Sequence, residues 1–98
     1  MSTIQERVEA GAKWLDDNRP GWVDRIDLDT FYLGDCVTCV LGQLDGDYCL
    51  TLERDFHDNV REAAGLGFAL PASEPPMGQA YAELTAAWRD YITARRAA

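Results

Sequence analysis

Basic side chains, histidine and long apolar runs are all scarce in this chain. Nine Lys and Arg stand against seventeen Asp and Glu, a net charge of −8. Binding to a nucleic-acid backbone draws on clustered Lys and Arg that release counterions, so no direct nucleic-acid partner is expected. No run of 18 apolar residues occurs, which excludes a transmembrane helix and with it a membrane role. The start, Met1-Ser2-Thr3-Ile4-Gln5-Glu6-Arg7, has no basic stretch leading into an apolar block, so no signal peptide is expected. One histidine and no Gly-x-Ser-x-Gly elbow exclude the common hydrolase layout. Gly65-Leu66-Gly67-Phe68 follows a helical pattern, whereas a dinucleotide fingerprint must follow a strand. Three cysteines cannot all pair, which argues against a secreted disulfide framework and for a reducing cytoplasm.

What is present suffices for one modest core. Ninety-eight residues make a single domain, residues 1–98, burying roughly 60–65% of the surface the unfolded chain exposes. At 47% hydrophobic the composition excludes wholesale disorder.

The charge is unevenly placed. Residues 1–15 and 63–98 are each neutral overall, so the whole −8 lies in residues 16–62, mostly as aspartate. Aspartate favours helix caps and turns over helix interiors, and several short helices would use many as caps. The sharper reading is an acidic face that docks a basic partner, with Asp24, Asp27, Asp29, Asp45 and Asp47 as the binding-side charges. Asp45-Gly46-Asp47-Tyr48-Cys49 fails the EF-hand spacing, so calcium is excluded.

Helical periodicity recurs in four segments. Thr3 and Glu6 form a capping box ahead of a stripe at Ile4, Val8, Gly11, Ala12 and Leu15, ended near Pro20. Gly11 inside that stripe costs about 1 kcal/mol relative to alanine and implies a close neighbour, a helix or an aromatic ring. A second helix is expected from Asp35 to Leu44 or Asp45, and a third over about 52–64, where Leu52, Phe56, Val60 and Ala63 share a face. The fourth runs from Gln79 to Arg96 with Tyr81, Leu84, Trp88, Tyr91 and Ile92 at helical spacing. Residues 22–34 read as an irregular connector whose Trp22, Ile26, Leu28 and Leu33 plug the core, and residues 71–78 as a Pro-rich connector. The fold class is all-α, a small bundle of about four helices. The tryptophans, with Tyr81 and Tyr91, read as core and helix-contact residues rather than a platform for bases.

Cys36-Val37-Thr38-Cys39 is the one motif with chemical potential. On a helix starting at Asp35, both thiols fall at or outside the border of the apolar stripe. Cys36, Cys39, Cys49 and His57 would make a tetrahedral zinc set and a zinc-stabilised mini-domain, although the pattern lacks a second tight pair. A CxxC thiol redox site is a further alternative, without the βαβ setting such sites have. Otherwise the cysteines are small apolar residues and no cofactor is implied.

The string Gly21-Trp22, Ile26-Asp27-Leu28-Asp29, Cys36-x-x-Cys39-Val40-Leu41-Gly42-Gln43-Leu44 and Gly46-Asp47-Tyr48 resembles a group of small uncharacterised proteins encoded by bacteriophages that infect actinobacteria. Gly65-Leu66-Gly67-Phe68 and Leu84-Thr85-x-x-Trp88 belong to the same pattern. The resemblance implies a phage or bacterial cytoplasmic setting and carries over no catalytic residue. The expectation is a non-enzymatic acidic helical protein that binds another protein, a phage accessory or regulatory factor, with DNA mimicry as the sharpest form. Aromatics on the last helix could equally serve a homodimer.

Overall fold

The computed structural model describes residues 3–35, 37–69 and 77–97, with the side chains of Met77 and Gly78 excepted. Among the described residues the chain forms five α-helices and no strand: α1 Ile4–Asn18, α2 Val40–Asp45, α3 Tyr48–Phe56, α4 Val60–Gly65 and α5 Met77–Ala97. Most of residues 71–78, the expected Pro-rich connector, lies outside that description.

Thr3 and Glu6 form the reciprocal capping box, at 3.1 Å in each direction, and start α1. Val8, Gly11, Ala12 and Leu15 are its buried stripe. A Cβ on Gly11 would lie 1.9 Å from the Leu66 carbonyl oxygen and 2.9 Å from the Trp88 ring. The helix tolerates glycine there because α5 and the 66–69 loop cross it at backbone contact.

The middle of the chain departs from the expected helices in two places. The second helix starts at Val40 rather than Asp35. Asp35 Oδ1 accepts from the amides of Val37 (2.8 Å) and Thr38 (3.2 Å), so its capping capacity goes into a turn. Cys39 is then extended and becomes the N-cap, its Sγ accepting from the Gly42 amide at 3.3 Å. This shift of start turns Cys39 inward to 2% exposure, instead of leaving it at a stripe border. The expected 52–64 helix is two helices. Asp47 caps α3 four residues earlier by accepting from the Cys49 amide. His57 and Asp58 both adopt positive φ (51° and 62°), and Asn59 caps a fresh start at α4 through the Glu62 amide. The break rotates Val60 out to 42% exposure, off the face it was expected to share with Phe56.

Residues 22–34 form the irregular connector: a 3₁₀ turn over Trp22–Arg25, then successive turns. Trp22, Ile26 and Leu33 are buried as expected, Leu28 only in part, and Phe31 joins them. Aromatic rings link the elements across the core. Phe68 stacks on Trp88 (5.8 Å), Trp88 meets Trp22 edge-on (5.9 Å), and Trp14 lies 5.1 Å from Phe56. Each such pair contributes about 0.5–1.5 kcal/mol beyond its burial. Trp88 Nε1 donates to the Gly67 carbonyl at 2.7 Å, so the large ring carries no unsatisfied polar atom inside.

Two substitutions test this architecture by thermal unfolding. Gly11→Ala is expected to cost about 1–3 kcal/mol, because the added methyl meets backbone that cannot yield cheaply. Asp58→Gly should instead raise stability by about 1 kcal/mol, since glycine reaches its left-handed conformation without steric cost.

Candidate protein-docking surface

The backbone of the connector is satisfied by side chains. Arg89 donates to the Leu28 carbonyl (2.7 Å) and the Phe31 carbonyl (3.3 Å). Arg96 donates to the carbonyls of Val23 (2.6 Å) and Ile26 (2.5 Å). Between these contacts on α5, Ile92 is fully buried, and one turn earlier Thr85 Oγ1 accepts from the Leu33 amide at 3.0 Å. Thr85, Arg89, Ile92 and Arg96 recur every three or four residues, one face of α5, and the connector runs antiparallel along it. From the other side, Gln43 of α2 accepts from the Asp27 amide (2.6 Å) and donates to the carbonyls of Asp27 (3.1 Å) and Thr38 (2.8 Å). Arg25 donates to the Leu44 carbonyl at 3.1 Å.

These arginines donate to carbonyl oxygens, and among the described residues none of them makes an ion pair with Asp24, Asp27 or Asp29. Asp24, Asp27 and Asp29 are exposed on the connector. Asp27 Oδ1 accepts from the Asp29 amide at 2.9 Å, which fixes a turn without neutralising charge. Among the described residues nothing bonds the carboxylates of Asp24 or Asp29.

Asp45, expected among the outward-facing charges, is an internal counterion. Its side chain is 9% exposed and takes both a bidentate pair from Arg19 (2.9 and 3.0 Å) and a bond from Arg54 (3.3 Å), with the Thr51 hydroxyl donating as well. Arg19 also reaches Asp55 at 2.8 Å and lies over the Trp14 ring. Burial opposes ionisation of Asp45, but donation from Arg19 and Thr51, with the nearby Arg54 charge, outweighs it and lowers its pKa. Asp16 is lowered too, chiefly by the bidentate Arg95 (3.0 and 2.5 Å) and also by Trp22 Nε1 at 3.0 Å. Asp47 is half-buried and serves α3 as its cap, so of the five expected charges Asp24, Asp27 and Asp29 face outward together on one segment. Periodicity could not have separated Asp45 from the rest, because its partner Arg19 is 26 residues away.

The expected zinc set is not gathered by its described members. Cys39 caps α2 from the core, Cys49 sits in the first turn of α3, and His57 caps the far end of α3. Eight residues of helical rise, about 12 Å, separate Cys49 from His57, more than two ligands of one zinc can span. Cys36 lies outside the described residues, and among those described no three His, Cys, Asp or Glu side chains converge as a metal would need. Nor is any described helix long and apolar enough to cross a membrane. Compared with known protein families, with curated proteins and with solved structures, the chain shows no match.

Asp16 and Asp45 are more acidic in the fold than at the ordinary carboxylate value of about 3.9. Their stabilisation is therefore complete above that value and drains away as the pH falls below it. The melting temperature should hold near neutrality and drop steeply below about pH 4. Asp45→Asn should lose about 3 kcal/mol at neutral pH and show a shallower acid limb, both read by thermal melts across pH.

Proposed function

We propose that this chain is a non-enzymatic binding protein whose acidic connector docks a protein with a basic surface. The observation that carries the reading is that Asp24, Asp27 and Asp29 are exposed together on one segment and form no ion pair among the described residues. Arg25, Arg89 and Arg96 are used on backbone carbonyls, and Arg19, Arg54 and Arg95 on the carboxylates of Asp45, Asp55 and Asp16. The connector therefore presents Asp24, Asp27 and Asp29 on a backbone held from both sides. Carboxylates held in fixed positions favour an oriented encounter with a basic partner. A phage-encoded accessory or regulatory role in a bacterial cytoplasm is the setting that the sequence resemblance suggests. Its sharpest form is mimicry of DNA, in which duplex DNA competes for the same basic protein.

Asp→Asn changes at 24, 27 and 29 remove charge but keep an oxygen to accept the Asp29 amide, so the turn survives. Immobilised wild-type chain should retain a basic protein from bacterial lysate at about 0.05 M salt and release it at about 0.5 M. The triple variant, with an unchanged melting temperature, should retain it weakly or not at all. Equal retention by both chains, or retention that ignores salt, overturns the reading.

A further inference from the structure

A small cavity is walled by Leu33, Gly34 and Asp35 on one side and by Tyr48, Phe68, Ala69 and Tyr81 on the other. Exposed Tyr32 directly precedes Leu33, Gly34 and Asp35 on the first wall. The Tyr32 ring lies across Gly34, where a Cβ would come within 2.6 Å of it, so that exposed ring stands beside the cavity. Three of the four tyrosines thus gather at one place, and tyrosine with a small apolar recess is the composition of an interface centre rather than of a solvated face.

Size and charge decide what fits. The cavity holds about 70 Å³, roughly twice the ~30 Å³ share of one water, against the ~300–1,000 Å³ of sites for cofactors and drug-sized ligands. One aliphatic side chain suits it. Asp35 stands on its wall and Asp47 directly precedes Tyr48. The amide of Gln43 bonds both Thr38, in the cavity turn, and Asp27, in the acidic turn. The recess and the acidic connector are thereby neighbours on one surface, apolar at its centre and acidic at its edge.

We propose that this cavity receives a single aliphatic side chain carried on a Lys- or Arg-bearing segment of the partner protein. The proposal rests on the acidic docking reading and adds the anchor to it. It gives the interface a desolvated centre, where binding energy concentrates, beside charges that orient the approach.

The probes are a short lysine-rich peptide with one central leucine and the same peptide with alanine in its place, titrated by calorimetry or NMR. Wild-type chain should bind the leucine peptide about tenfold more tightly, from the apolar area that the extra carbons bury. Ala69→Leu, which fills the cavity from its wall, should abolish that preference while both peptides keep their salt-sensitive binding. Equal binding of the two peptides by wild-type chain overturns the anchor and leaves the acidic reading standing. Binding of neither peptide removes both. Self-association of the chain that Ala69→Leu disrupts would assign the recess to a second copy and overturn the proposal. The wild-type comparison decides the matter even if Ala69→Leu fails to fold.

Discussion

A mostly irregular segment can lie against a protein core only if its amides and carbonyls find partners, because each one buried alone costs about 1–3 kcal/mol. Residues 22–34 meet that constraint with borrowed side chains. Arg89, Arg96 and Thr85 satisfy them from α5, and Gln43 does so from α2. Once the backbone is satisfied, Trp22, Ile26, Phe31 and Leu33 can enter the core, each contributing about 1.5–3 kcal/mol by burial. The aromatic contacts of Trp22 with Trp88 and Tyr91 then lock the connector to the helix that holds it. The order of dependence runs from guanidinium to carbonyl to apolar side chain.

The electrostatics follow from the same arrangement. Arginine offers five donors in a rigid fork, so one side chain can serve two carbonyls of a turning backbone. Arg89 and Arg96 both do so. Donors committed in this way form no bond to Asp24 or Asp29. At the other end of the connector the opposite choice is made: Arg19 and Arg54 converge on Asp45 and Asp55, tying the end of α1 to α2 and α3. The molecule thus has one acidic cluster ion-paired so that it holds helices together, and on the connector three exposed carboxylates that make no ion pair among the described residues.

Much of the fold was legible from local signals. The capping box at Thr3 and Glu6, the α1 stripe, the close approach at Gly11 and the long last helix all rest on contacts within a few residues or on the absence of a Cβ. The helical class follows from the same periodicity. The middle was misread where two local signals compete. Asp35 can cap a helix or a turn, and an extended Cys39 makes it the turn. Leu52, Phe56, Val60 and Ala63 fit one helical face, but two left-handed residues at 57 and 58 and a strong cap at Asn59 break it. The site was half legible for a related reason. Sequence shows where acids are dense, but whether a carboxylate is ion-paired depends on the tertiary fold, as for Asp45, whose bidentate partner Arg19 is 26 residues away.

The grip on the connector is on its main chain, and main-chain oxygens are the same in every residue. Apart from Arg25 and Asp27, whose side chains bond backbone, the outward-pointing side chains of residues 22–34 are thereby decoupled from the hold that shapes them. Such a segment behaves as an exchangeable cassette: evolution or engineering can rewrite what it displays, from acid to apolar to basic, while Arg89, Arg96 and Gln43 go on presenting whatever is written there.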